Sequence, residues 1–318
     1  MTDTLIPMLA LAYGADLAFG DPRWIPHPVR GMGWAIDSGE RLLRRLVPWE
    51  RWAGVLLVIG VVGGCYGLTT WLLGAMGSYS ETWGFVAGAF LLYTCLSTRD
   101  LAVESWGVFR ALVARDLPLA RRRVSMIVGR DTDRLDEPEI VRATIETIAE
   151  STLDGILSPL FYFVLGGVPL AVAYKAINTL DSMIGHRSAR YIRFGWAAAK
   201  LDTLANWVSA RLSAPLFAIA ARLGGYAVGA SWRCAWRDGS GGPVPNAGIP
   251  EAAMAGALGV RIGGVNYYGG QPVEMPSMGD PNRPLESQRI AEAIRLMYVC
   301  SIVAWLVSMG ICWMRMGW

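Results

Sequence analysis

The chain has 318 residues, 53% hydrophobic and only 17% charged, with 29 Lys and Arg against 26 Asp and Glu and a formal net charge of +3. Soluble domains carry about 25% charged residues, so this composition points to a bilayer as the solvent. The small charge, with no dense basic run interleaved with aromatics, gives no footing for a nucleic-acid partner.

Four of the five cysteines (Cys65, Cys95, Cys300, Cys312) lie in apolar runs, Cys234 lies in a polar one, and no C-x-x-C spacing occurs. They read as small apolar packers. His27 and His186 are far apart and have no cysteine companions, so a hard, oxygen-bound metal is expected over zinc.

In chain order, Met1-Thr2-Asp3-Thr4 lacks a basic signal region, and residues 1 to 20 read as a retained membrane anchor. Gly20-Asp21-Pro22 and Pro26-His27-Pro28-Val29 follow, where prolines pin a loop around His27. His27 could exchange protons or bind phosphate, or be an ordinary surface histidine. A crossing helix needs about 20 apolar residues, and the uncharged runs place further spans at 53–77, 82–98 and 296–314, with Trp49, Trp52, Trp83 and Trp313 near their ends. Arg23, Arg30, Arg41, Arg44 and Arg45 follow the first span and Arg121-Arg122-Arg123 the third. Both loops belong in the cytoplasm by the charge rule.

Residues 99–154 form the next, cytoplasmic helical segment. Within it Gly129-Arg130-Asp131-Thr132 is a turn whose Arg130 could grip a phosphate and whose Asp131 and Thr132 could hold Mg²⁺ or cap a helix. Glu146, Glu150 and Asp154 recur every four residues, placing neighbouring carboxylates about 5 to 6 Å apart on one face. Such a stripe fits Mg²⁺ or a Mg-nucleotide, with one carboxylate acting as base; by spacing it fits a solvated helix face equally, and an Arg142–Glu146 pair would support that.

The uncharged run 155–174 contains Pro159 and is interrupted by Gly166-Gly167-Val168-Pro169. A simple crossing would export the basic residues Lys175, Arg187, Arg190, Arg193 and Lys200, so two half-length helices that dip in and return fit better. Irregular backbone at that depth is tolerated only when buried in protein or lining a wet cavity. Residues 203–231, interrupted by Arg211 and Gly224-Gly225, are assigned the same kind of broken, partly inserted helix. Lys175, Asn178 and Ser182 share a helix face, with Asp181 beside Asn178. Polar groups so close to membrane depth are costly unless they bind something, and a lysine suits phosphate. Asp202 and Asn206 stand one turn apart, followed by Arg211. Residues 232–295 hold many Gly and Pro residues and read as a long loop carrying Asn246-Ala-Gly-Ile-Pro-Glu251. No P-loop and no internal repeat is present.

Taken together these blocks resemble the adenosylcobinamide-phosphate synthase family of cobalamin biosynthesis (CbiB or CobD). The residues that carry the likeness are GDPRWIPHPV at 20–29, VGRDTDRLDEPEIVRATIETIAESTLDG at 128–155, YKAINTLDSMIG at 174–185, FGWAAAKLDTLANW at 194–207 and PNAGIPEAAMAGALGVRIGG at 245–264. The resemblance implies an ATP- and Mg²⁺-dependent acid–amine ligase that joins aminopropanol phosphate to a propionate carboxyl of adenosylcobyric acid, giving adenosylcobinamide phosphate, by way of an acyl phosphate. It implies a multi-pass protein of the inner cell membrane with its site facing the cytoplasm, in contact with membrane lipid. A homo-oligomer or a complex with other enzymes of the pathway is left open. Ser151, Lys200, Thr203 and Ser209 stand where Asn, Arg, Asp and Pro are usual. Thr203 shifts the metal role onto Glu146, Glu150 and Asp154.

The expectation is an all-α polytopic membrane protein with about four transmembrane helices, broken or re-entrant helices and a long Gly/Pro-rich cytoplasmic loop. In the enzyme reading Arg130 and Lys175 neutralise phosphates. Asn178, Asp181 and Asn246 orient substrate, with Asp131, Thr132, Ser182, Asp202, Asn206 and Arg211 as further binding candidates. Glu251 or His27 handles a proton. Competing readings are a corrinoid-binding or transporting membrane protein and a sensory one.

Overall fold

The computed structural model describes residues 4–22, 27–186, 188–241 and 246–316. Arg23, Pro26, Arg187 and Pro245, named above, lie outside the described residues, as do Met1, Thr2 and Asp3. The helices are α1 (Leu5–Phe19), α2 (Pro28–Leu46), α3 (Glu50–Tyr79), α4 (Glu81–Tyr93), α5 (Thr98–Val113), α6 (Leu117–Val124), α7 (Glu137–Thr152), α8 (Ser158–Ile184), α9 (Trp196–Gly224), α10 (Val228–Arg237), α11 (Gly248–Leu258) and α12 (Gln288–Met316). A π-helical turn, Leu153–Leu157, joins α7 to α8. The strands β1 (Ile262–Tyr268) and β2 (Gln271–Met278) form an antiparallel hairpin. Among the described residues five helical stretches are long and apolar enough to cross a membrane: Glu50–Tyr79, Glu81–Val113, Glu137–Ile184, Trp196–Gly224 and Gln288–Arg315. The fold is that of an all-α polytopic membrane protein with one small hairpin. α1, at 15 residues, is shorter than the length a crossing needs.

The chain divides into two compact units. The first comprises Met1–Ser97, Ser158–Trp207 and Trp305–Trp318, the second Thr98–Leu157 and Val208–Ala304.

In the first unit α3 packs on α2, α4 and α8, and α1 lies on α4. α8 leaves helical geometry at Gly166 (φ −147°, ψ 22°) and Gly167 (φ 70°, ψ −162°). The Gly167 conformation is essentially confined to glycine, and Pro169 cannot return an N–H to the preceding turn. Ser158 and Tyr174, one in each half of α8, both donate hydroxyl hydrogen bonds to Asn206 Oδ1, at 2.7 and 2.9 Å. The amide nitrogen of Asn206 donates to the Asp202 carboxylate (3.1 and 3.2 Å). Buried polar groups of this kind are stable only when satisfied, and Asn206 bolts the two halves of α8 to α9. Arg315 caps the first half by donating to the Val164 carbonyl.

A charged cluster closes the far end of α2. Glu40, 3% exposed, accepts from Arg44 (2.8 Å) and Arg190 (2.9 Å), and Arg44 lies 4.2 Å over the Phe194 ring. Burial pushes the Glu40 carboxyl up, but the two guanidiniums outweigh it and hold the group below its ordinary value.

The second unit is organised around α7. Its N-terminus is closed by a capping box, Asp136 accepting from the Glu139 N–H at 2.9 Å and Glu139 from the Asp136 N–H at 3.0 Å, with Pro138 in the first turn. α11 packs against α7 and α10. At the α10 contact a Cβ on Gly256 would fall 2.4 Å from the Ala230 carbonyl oxygen, so only glycine permits that approach.

Two assignments made from sequence are corrected here. Residues 232–295 are largely ordered: the alanine-rich stretch makes α11, and the glycine pairs serve β1 and β2. Gly269 and Gly270, with φ of 57° and 79°, form the tight two-residue turn that matches strand twist. The helix over 203–231 is likewise unbroken through Arg211 and Pro215 as far as Gly224, because arginine is a good helix former and the interruption comes only at Gly225 (φ 75°).

Candidate functional site

In the second unit a pocket of about 210 Å³ is lined by residues of α7, α11, the hairpin and the loop at 127–130. Arg130, Glu146, Glu150, Glu251, Gly263 and Asn266 stand in its wall. α7 presents Glu146 and Glu150 one turn apart on the same side. The Arg130 guanidinium donates to the Glu146 carboxylate and to Asn266 Oδ1. The Arg130 and Glu146 side chains are 6% and 12% exposed, so the pair is nearly dry, and losing one partner would strand the other.

The second Glu146 oxygen accepts the Gly263 N–H at 2.8 Å. Arg142, one turn earlier on α7, donates to the Gly263 carbonyl and to the Val265 carbonyl (3.1 Å). β1 is thereby clasped to α7 at Gly263. No other residue fits there: φ is +86°, and a Cβ would lie 2.1 Å from the Pro276 carbonyl oxygen.

Glu251 enters from the first turn of α11. Burial drives its pKa well above the carboxylate range, the Glu150 and Glu146 carboxylates push it further, and Arg130 opposes them. A carboxyl whose pKa is raised holds a proton more readily than an ordinary one, which suits it to proton transfer. On another wall Asp238 shows the opposite balance. Burial acts to raise it, but Arg237 and the Gly279 N–H hold it below its ordinary value. Arg237 also bonds Asp280 at 2.9 Å, tying the end of α10 to the segment after β2.

The structure thus brings together Arg130, Glu146, Glu150 and Glu251. Asn246 is buried just ahead of the pocket residues Ala247 and Gly248. Asp131 does not line the pocket; its carboxylate accepts the Gly269 and Gly270 N–H groups (3.1 and 2.6 Å) and holds the hairpin turn. Thr132 is buried, and neither Asp154, in the π turn, nor Arg211, within α9, is among the lining residues.

The other named residues belong to the first unit. Asn206 and Asp202 form the bolt described above. The Ser182 hydroxyl donates to the Asn178 carbonyl at 2.9 Å, and Asp181 is partly buried on the same helix. Lys175 is partly buried, and its side chain makes no hydrogen bond or ion pair among the described residues. His27 caps α2, Nδ1 accepting the Val29 N–H at 3.3 Å while Nε2 lies 2.9 Å from Asp21 Oδ1.

The Arg142–Glu146 pair that would have supported a solvated helix face does not form, because Arg142 turns to β1 and Arg130 takes the glutamate. Asn266, Gly263 and Arg142 were missed as site residues. The signal available for them was a strand-like Val265-Asn-Tyr-Tyr268 run between two glycine pairs, which reads as a hairpin. Among the described residues no three His, Cys, Asp or Glu side chains converge as a preformed metal cluster. Magnesium needs only one or two carboxylates plus substrate phosphates. Glu150, close enough to Glu251 to raise the Glu251 pKa, fits that demand.

A family model described as CobD/Cbib protein matches residues 9–297. The chain belongs to the CobD/CbiB family. Among curated relatives, the "Cobalamin biosynthesis protein CobD" of Geobacter metallireducens is 50% identical over 283 residues, 89% of each chain. That of Pelobacter propionicus is 45% identical, covering 95% of this chain and 94% of its own. The "Cobalamin biosynthesis protein CbiB" of Salmonella typhimurium is 41% identical, covering 92% and 93%. No solved structure matches. Within this CobD/CbiB chain the pocket is built from two of the motifs quoted above, 128–155 and 245–264, together with the hairpin that follows them.

Proposed function

We propose that this protein is a biosynthetic enzyme of the cobalamin pathway, the ATP-dependent ligase that attaches aminopropanol phosphate to adenosylcobyric acid and yields adenosylcobinamide phosphate. The names of its relatives support the pathway, and one juxtaposition supports the chemistry: Arg130, a guanidinium, and Glu251, a carboxyl with a raised pKa, line the same small pocket.

An amine attacking an activated carboxyl must shed a proton, and the phosphate groups involved need a fixed cation. In this reading Arg130 binds phosphate, held in orientation by Glu146 and Asn266. Glu251 accepts the proton that the attacking ammonium releases. Glu150 is the residue that would hold Mg²⁺ together with substrate phosphates, and bound ATP would supply the activation of the carboxylate. A pocket of about 210 Å³ admits a phosphorylated amino alcohol or the end of a propionate arm, leaving a corrin ring outside. We place the protein in the inner cell membrane with this site on the cytoplasmic face, and Lys175 as a second phosphate-neutralising candidate.

The test is ligation by purified protein in detergent, with ATP, Mg²⁺, aminopropanol phosphate and adenosylcobyric acid, the amide product being followed by mass. Uptake of labelled corrinoid into sealed vesicles, with no amide formed in detergent, would replace the ligase reading with a transport one.

A further inference from the structure

The turn between α2 and α3 carries a second built site, in the first unit and separate from the ligase pocket. Pro48, Trp49, Glu50, Arg51, Trp52 and Arg193 line an open pocket. Two guanidiniums therefore share one depression. Neither the Arg51 nor the Arg193 side chain makes an ion pair or hydrogen bond among the described residues; Arg51 lies 5.8 Å over the Trp196 ring. Glu50, the one acid present, is held by Arg44 at 2.9 Å.

The backbone there adds to the positive field. α3 runs for 30 residues and no side chain caps its N-terminus. Its first regular bond joins the Ala53 N–H to the Trp49 carbonyl at 3.0 Å, so the N–H groups of Glu50, Arg51 and Trp52 have no acceptor within the helix. Uncapped amides and the helix dipole favour an anion at this end.

The surroundings say which anion. Trp49 and Trp52 are 71% and 63% exposed, and α3 continues as an apolar, membrane-length helix. Exposed indoles beside cations, at the start of a span, match the headgroup level of a bilayer. α2 adds to the belt: it buries Met32, Ile36 and Glu40 and leaves Leu42 and Leu46 exposed beside Arg41 and Arg45.

We propose that this pocket binds the headgroup phosphate of an anionic phospholipid, between Arg51 and Arg193 and over the uncapped amides of α3, with Trp49 and Trp52 against the upper acyl chain. The site anchors α2 flat on one membrane face. It is independent of the ligase reading.

Native mass spectrometry of the full chain, released from micelles containing phosphatidylglycerol and phosphatidylcholine in equal amounts, tests it. Wild-type protein should retain phosphatidylglycerol preferentially, and combining Arg51→Gln with Arg193→Gln should weaken that retention about tenfold or more, a loss of ~1.4 kcal/mol or more. Both arginines are exposed, and an unchanged unfolding temperature will confirm that the variant folds. Equal retention of the two lipids by wild-type protein overturns the proposal without any variant. So does undiminished retention by the folded double variant. Displacement of the lipid by millimolar inorganic phosphate would also overturn it and reassign the site to a free phosphate.

Discussion

The rings of Tyr162 and Tyr174 stack with centroids 4.9 Å apart and planes inclined by 14°. A continuous helix would separate these positions by about 18 Å, at ~1.5 Å per residue. The chain therefore doubles back between them, and the reversal falls at Gly166-Gly167. Because Tyr174 also bonds Asn206, and the Tyr162 hydroxyl donates to the Ala205 carbonyl at 2.8 Å, both arms are fastened to α9.

Replacing Gly167 with Ala should cost about 1–3 kcal/mol, since a side chain is forced into backbone space that glycine alone tolerates. Thermal unfolding in detergent micelles will show a lowered midpoint, while Gly60→Ala, on α3 with open space around it, should leave it unchanged. Equal midpoints for the two variants would argue against a tight reversal.

The Arg130–Glu146 pair should behave as a buried unit. Arg130→Ala alone should destabilise by roughly 3 kcal/mol because Glu146 is left charged and dry. Combined with Glu146→Gln, the loss should be smaller than the sum of the two single losses. In the ligation assay Glu146→Gln should lower turnover about a hundredfold, since Arg130 then lacks its fixed orientation. Unchanged turnover at equal protein would remove the pair from the site.

Glu251 makes the pH dependence directional. Its folded pKa is raised above the ordinary value of 4.5 by burial, with Glu150 and Glu146 adding to it. Between those two values the native protein holds a proton that the unfolded chain has lost. Its contribution to stability is therefore full below about pH 4.5 and fades as pH rises through the raised value. Glu251→Gln should stabilise the protein at neutral pH, measured by denaturation at two pH values. As a proton acceptor Glu251 works only when ionised, so the ligation rate should climb with pH through the same range. Glu251→Gln should remove that climb and reduce kcat about 10²–10⁴-fold.

Asp131 discriminates a structural role from a binding one. Asp131→Ala should free the Gly269 and Gly270 amides, so that hydrogen exchange at the hairpin turn quickens before substrate is added. KM for aminopropanol phosphate should change by less than about twofold. A large rise in KM with unchanged exchange would return Asp131 to the phosphate site.

The sequence by itself determined the membrane class, the apolar segments and the break at Gly166-Gly167, because hydrocarbon and glycine act locally and are visible in composition. It also named Arg130 from a glycine turn, Glu146 and Glu150 from their four-residue spacing, and Glu251 from a motif in the Gly/Pro-rich stretch. It could not show that Arg130 closes on Glu146 while Arg142 turns to β1. Both are arginines within reach of α7, and helical spacing favoured the wrong one. Nor could it show that Asn206 bolts α8, or that Asp131 holds a turn more than a hundred residues away. Those assignments depend on which donors meet which acceptors once distant segments are packed. Satisfaction of buried polar groups is a property of the folded chain, not of any window along it.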